Sequence, residues 1–112
     1  MSQITTHILD LSHGTPARGV AATLWRGAGT DRTELAKGIT DTDGRIAGWL
    51  SGETLPGGTY SITFASGRYF ATQGVDTFYP HVEIIFDVAK GGAHYHVPLL
   101  ISPWGYSTYR GS

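Results

Sequence analysis

The most regular feature of this chain is an alternation of apolar and polar side chains along short segments. The alternation is clearest in residues 59–64 (TYSITF), 81–88 (HVEIIFDV) and 94–101 (HYHVPLLI). A period of two residues is that of a β-strand with one buried face. Weaker forms of the pattern occur in residues 4–9, 19–25, 33–40 and 45–50.

The alternation also predicts which side chains face the core. In the clearest segments the expected inward residues are Tyr60, Ile62, Phe64, Val82, Ile84, Phe86, Val88, Tyr95, Val97, Leu99 and Ile101. His94, His96, Pro98 and Leu100 are then outward. Because proline cannot donate a ladder hydrogen bond, Pro98 predicts a sheet edge or a strand end.

Turn-forming residues separate these segments. DTDG at residues 41–44 predicts a tight turn, after which Arg45 begins the next strand. Residues 69–77 are the one stretch that favours a short helix. About eight strands with a turn every ten residues or so predict an all-β sandwich, with residues 1–112 forming a single domain.

Composition narrows the possible functions. The net charge is −1 and no basic stripe occurs, which argues against nucleic acid as a partner. No apolar run is long enough to cross a membrane, and the first residues do not have the pattern of a signal peptide. The chain has no Cys, which excludes thiolate chemistry. We therefore expect a cytoplasmic protein.

Histidine and arginine are the candidate chemical groups. His7 and His96 each lie within a predicted strand, where a structural role and a functional role are both open. A zinc site made of His94, His96 and His7 is an alternative, although no carboxylate is evident to orient the ligands. Arg45 and Arg110 could each bind carbonyl oxygens through two hydrogen bonds.

The C-terminal segment SPWGYSTYRGS contains three aromatic residues and one arginine. Such a segment would expose a large apolar patch if it were surrounded by water. Burial against another copy of the chain would remove that exposure, and a self-complementary patch builds a symmetric homo-oligomer.

Three motifs carry a resemblance to a known family. The segments ITTHILDLSHGTPARGV, TDTDGRI and HYHVPLLISPWGYSTYRGS resemble those of the 5-hydroxyisourate hydrolases, also called transthyretin-related proteins. The resemblance implies a transthyretin-like sandwich of two four-stranded sheets with one short helix, at residues 69–77. It also implies a homotetramer, a dimer of dimers, with active sites in the clefts between dimers.

The resemblance further implies an active site. Its catalytic residues would be His7, Arg45, His96 and Ser112. Substrate would be bound by His7, Arg45, Tyr109, Arg110 and Gly111. The implied reaction is ring opening of 5-hydroxyisourate to 2-oxo-4-hydroxy-4-carboxy-5-ureidoimidazoline in urate degradation, by water activated by a histidine, without metal or cofactor. Which histidine acts as the base is open at this point.

Two alternatives to the enzyme are open as well. One is a non-catalytic, transthyretin-like carrier of a flat aromatic ligand. The other is a structural or adhesive sandwich with an aromatic tail.

Overall fold

The computed structural model describes residues 2–111, which form two four-stranded sheets and one short helix. The strands are β1 (Ile4–Asp10), β2 (Thr15–Pro16), β3 (Ala21–Ala28), β4 (Asp31–Ile39), β5 (Gly58–Phe64), β6 (Val82–Val88), β7 (Tyr95–Ser102) and β8 (Gly105–Thr108), and the helix is α1 (Ser66–Ala71). One sheet has the order β2-β1-β7-β8 and the other β4-β3-β5-β6. The predicted sandwich of two four-stranded sheets with one short helix is confirmed.

The core lies between the two sheets and is built from their alternating faces. On β5, Tyr60, Ile62 and Phe64 are fully buried, as the period of two predicts. Ile8 of β1 and Leu99 of β7 are equally buried on the other sheet. Each such side chain contributes roughly 1.5–3 kcal/mol of hydrophobic stabilisation. Within residues 2–111, no helix has the length and apolar character needed to cross a membrane.

The helix begins earlier than residues 69–77, and that prediction is wrong. It covers Ser66–Ala71 and ends because Gly74 adopts a positive φ of 69°. The N–H of Val75 then turns back to the carbonyl of Phe70 at 3.0 Å, which is a common way to end a helix. At the start, Gly67 is required, because a Cβ there would collide with the carbonyl oxygen of Pro80.

The strand predicted at residues 45–50 does not form. Arg45 makes a single antiparallel bridge to His7, and the following residues have no ladder. Side-chain hydrogen bonds hold the segment instead: the indole N–H of Trp49 donates to the carbonyl of Ile4 at 2.9 Å. The alternation in this segment reflects burial of Ile46 and Leu50 without strand pairing.

Pro98 lies neither at a sheet edge nor on an exposed face, so both predictions for it are wrong. Strand β7 is internal, between β1 and β8, and Pro98 is buried. The pairing of β7 with β8 stops at Leu99 and resumes as a bridge from His96 to Gly111. Pro98 sits in that interruption of the ladder, where its carbonyl accepts a hydrogen bond from Oγ1 of Thr108 at 2.7 Å.

Candidate functional site

The candidate site lies on the outer face of the sheet that contains β1 and β7. These two strands run parallel, and their register places Thr5 opposite His96 and His7 opposite Pro98. Along β1 the burial alternates, so that Thr5 and His7 are half-buried on the outer face while their neighbours are buried. His96 on β7 is half-buried as well, so it shares the outer face with Thr5 and His7. The register then brings the two histidines to neighbouring positions on that face.

Arg45 reaches the same face through the turn at residues 41–44. A carboxylate oxygen of Asp41 accepts hydrogen bonds from the backbone N–H groups of Asp43 and Arg45, at 2.9 and 3.1 Å. Gly44 has a φ of 75°, and its carbonyl accepts the N–H of Ile8 at 2.8 Å. A Cβ at Gly44 would collide with the carbonyl of Ile8, so glycine lets the turn close on β1. Arg45 is thereby paired with His7.

The hydroxyl of Thr5 holds His96 in place. Its Oγ1 lies 2.8 Å from Nδ1 of His96 and 3.0 Å from Nε2 of His94. A hydroxyl has one proton and two lone pairs, so Thr5 can donate to one ring and accept from the other. When Nδ1 of His96 carries a proton, Thr5 accepts from it and is free to donate to His94, and Nε2 of the neutral His96 ring is then an acceptor.

The charge state of His96 is shifted towards the neutral imidazole. Burial is the largest cause that lowers the pKa of His96 below its ordinary value of 6.5. The charge of Arg45 acts in the same direction, followed by the neighbouring rings of His7 and His94. At neutral pH the ring of His96 is therefore a free base.

The C-terminal segment lies against His96. Gly111 forms a bridge with His96 and donates its N–H to the His96 carbonyl at 2.8 Å. A Cβ on Gly111 would lie 2.5 Å from Cδ2 of the imidazole, closer than real contacts allow. Only glycine therefore lets the chain run over this ring. The next residue, Ser112, which is predicted as catalytic, lies outside the described residues.

The sequence as a whole matches a known family. The model of the HIUase/transthyretin family matches residues 4–111. This chain belongs to the HIUase/transthyretin family.

Similar members of the HIUase/transthyretin family include curated hydrolases. A 5-hydroxyisourate hydrolase of Ralstonia nicotianae is 46% identical over 117 residues, and the alignment covers 100% of both chains. The 5-hydroxyisourate hydrolase of Mus musculus is 42% identical, with 99% of this chain and 96% of the relative covered.

Solved structures in the HIUase/transthyretin family share the fold. The 5-hydroxyisourate hydrolase of Klebsiella pneumoniae has a TM-score of 0.85 at 41% identity, covering 97% of this chain and 92% of that one. The transthyretin of Sparus aurata has a TM-score of 0.91 at 32% identity, covering 99% and 97%. Hydrolase and transthyretin thus share this architecture, and the fold alone does not distinguish them.

Tyr109 and Arg110, which the sequence predicts to bind substrate, do not join His7, Arg45 and His96 in the single chain of this family member. The guanidinium of Arg110 stacks over the ring of Tyr95, 4.4 Å from its centroid, and the Tyr95 ring is buried on the inner side of β7. Tyr109 is 61% exposed. Both residues line a cavity of about 260 Å³ with Ile84 and Phe86 of β6. Of the predicted set, the structure brings together His7, Arg45, His96 and Gly111.

The sequence interpretation missed Thr5 and its link to His94 in this HIUase/transthyretin family member. Thr5 precedes His7 by two residues on the same strand, so the alternation alone places the two on one face. Residues 2–111 contain no group of three His, Cys, Asp or Glu side chains arranged to hold a metal ion. The zinc alternative therefore has no ligand set in the described part of a single chain.

Proposed function

We propose that this protein hydrolyses 5-hydroxyisourate, the reaction in the names of the curated relatives. The observation that carries the proposal is the gathering of His7, Arg45 and His96 on one face, next to the tail residue Gly111. A base and a cation side by side suit hydrolysis of a ring amide. A carrier of a flat ligand has no need of that pair, which favours the hydrolase over the carrier.

In this proposal His96 is the general base. Its lowered pKa keeps the ring neutral at physiological pH, and its half-buried position leaves the residue partly exposed to solvent. Nε2 takes a proton from water as the water oxygen bonds to a ring carbonyl carbon. Nδ1 of the resulting imidazolium donates to Thr5, whose own proton points to His94. Such general-base help is typically worth ~10²–10⁴-fold in rate.

Arg45 and His7 act on the other atoms of the reacting amide. The guanidinium of Arg45 donates to the carbonyl oxygen, on which negative charge develops as water attacks. One such donor is worth roughly 3 kcal/mol of transition-state stabilisation. When the ring C–N bond breaks, the nitrogen keeps the bonding electron pair and needs a proton. His7, paired with Arg45, is placed to supply it.

The C-terminal residues close the site in this proposal. Gly111 packs on His96 at the border of the cluster, and the catalytic role proposed for Ser112 rests on the family resemblance. Tyr109 and Arg110 would bind the planar ring in the assembled protein, where the tail borders a second copy of the chain.

The assembly we propose is a homotetramer, a dimer of dimers. Large aromatic side chains remain exposed on the single chain, among them Trp104 at 69% and Phe78 at 67%. A monomer rarely keeps such surface in water, and burial between copies removes it. The site face would then become a cleft between facing dimers. Size-exclusion chromatography with light scattering tests this, and a monomer at micromolar concentration would contradict it.

The function is tested with freshly made 5-hydroxyisourate, generated from urate by uricase. We expect ultraviolet absorbance to decay faster with the protein than without it, and the rate to survive treatment with a chelator. A decay no faster than the spontaneous one would contradict the proposal. A loss of activity to chelator that zinc restores would contradict the metal-free mechanism. Cell fractionation tests the predicted cytoplasmic location, and recovery outside the cytoplasm would contradict it.

A further inference from the structure

A second group of polar and charged side chains lies on the opposite side of β1 from His7. Asp10, the last residue of β1, follows the inward alternation and its side chain is 0% exposed. The loop after β1 and the helix α1 meet at this carboxylate. Between them lies a cavity of about 510 Å³, whose lining includes His13, Arg18, Arg68 and Tyr69. None of its lining residues belongs to the candidate hydrolase site.

The carboxylate of Asp10 orients two of the lining side chains. Its Oδ2 accepts from Nδ1 of His13 at 2.8 Å and from the hydroxyl of Tyr69 at 2.7 Å. Its Oδ1 accepts from the backbone N–H of Ser12 at 2.9 Å and from the Ser12 hydroxyl. Burial alone raises the pKa of Asp10, but these hydrogen bonds outweigh it and lower the pKa to about 2. The carboxylate is thus ionised and fully satisfied, and Nε2 of His13 is left available for a ligand.

Two cations line the same cavity. Arg18 lies in the loop before β3, and Arg68 lies on the exposed side of α1. Within residues 2–111 neither guanidinium has a carboxylate within ion-pair distance, and the cavity lining contains no acidic residue. Thr15, Thr72 and Gln73 add neutral hydrogen-bonding groups to the lining. The negative charge of Asp10 is therefore exceeded by two fixed positive charges.

We infer that this cavity, bounded by His13, Arg18 and Arg68, binds the phosphate group of a small phosphate monoester. A phosphate monoester carries close to two negative charges at neutral pH and offers three acceptor oxygens. Arginine binds such a group through paired hydrogen bonds. The lining also includes Pro16 and the ring of Tyr69, which offer apolar surface to an organic group beside the phosphate. This favours an ester over the free ion.

Calorimetric titration of the protein tests the inference. The probes are inorganic phosphate and phenyl phosphate, with sodium chloride at equal ionic strength as the control. We expect saturable binding of both, with phenyl phosphate binding more tightly. Arg18→Gln and Arg68→Gln should each weaken binding at least ~10-fold, the loss expected for a charge-assisted hydrogen-bonded pair. Both residues are exposed, so the folded state should be kept, and thermal unfolding checks this.

Arg26→Gln is the matched control, since it removes the same charge from an exposed position on β3 outside this cavity. We expect Arg26→Gln to bind phenyl phosphate like the unmodified protein and Arg68→Gln to retain full turnover of 5-hydroxyisourate. Absence of saturable binding would overturn the inference. So would equal weakening in all three variants, or binding that neither cavity variant changes. Equal affinity for both probes would overturn the preference for an ester.

Discussion

The hydroxyl of Thr5 provides the most specific test of the proposed mechanism. Thr5→Val keeps the shape and β-branching of the side chain and removes only its hydrogen-bonding group. The variant loses the 2.8 Å contact to Nδ1 of His96 and the 3.0 Å contact to Nε2 of His94. The ring of His96 would then have no fixed orientation and no acceptor for its Nδ1 proton.

The size of the effect follows from the charge that forms on His96. In the ground state the ring is neutral, and the lost hydrogen bond is worth roughly 0.5–1.5 kcal/mol. In the transition state the ring becomes an imidazolium, and a hydrogen bond to a charged group is worth roughly 1.5–3 kcal/mol. Because kcat reports the difference between the two losses, about 1–1.5 kcal/mol, it should fall ~5- to ~12-fold while KM changes little.

The assay is the initial rate of 5-hydroxyisourate decay at several substrate concentrations. Thr5→Ser should restore most of kcat, because serine keeps the hydroxyl. Thr6→Val is the matched control on the neighbouring buried position, where the hydroxyl donates only to the carbonyl of Val97 at 2.7 Å. It should lower stability and leave kcat unchanged. If Thr5→Val retained full kcat, or if Thr6→Val lost as much, the assigned role of Thr5 would be refuted.

Three further predictions follow from the site and its support. Gly111→Ala places a methyl group against the His96 ring and should lower kcat at least ~10-fold with little change in the unfolding midpoint. An equally active variant would show that the tail does not pack against His96 in solution. Because the pKa of His96 is lowered below 6.5, the midpoint of the fall in kcat/KM with decreasing pH should lie below 6.5, and a midpoint above 6.5 would contradict His96 as the base. Asp10→Asn should lower the free energy of unfolding by about 2 kcal/mol at pH 7, the value that corresponds to a pKa moved from 3.8 to about 2. The pKa of Asp10 is lower in the folded state than in the unfolded state, so this stabilisation is present above pH 3.8 and is lost as the pH falls towards 2. Urea unfolding at fixed protein concentration should therefore show the free energies of unfolding of Asp10→Asn and the unmodified protein converging over that range.

The strands and their buried faces could be predicted from the sequence because the alternation is a local signal. Tyr60, Ile62 and Phe64 alternate with polar residues and are fully buried in β5. Residues 45–50 have a similar pattern, yet Ile46 and Leu50 are buried from an irregular segment. Periodicity reports which side chains are buried and does not report whether the backbone has a partner strand.

The candidate site could be predicted only in part, because some of its contacts depend on pairing between strands that are distant in the chain. His7, Arg45, His96 and Gly111 came from the motif resemblance, and the structure brings all four together. The role of Thr5 depends on the parallel pairing of β1 with β7, which are about ninety residues apart in the chain. The position of Arg110 over Tyr95 depends on the inner face of β7, which no local pattern of the tail describes.

The most direct test of the central claim is a crystal structure of the assembled protein with a planar purine analogue bound. The account predicts the analogue on the outer face of the β1–β7 sheet, with Nε2 of His96, a nitrogen of His7 and the guanidinium of Arg45 within hydrogen-bonding distance of its ring. An analogue bound elsewhere, with these three side chains free of contact in the full assembly, would contradict it.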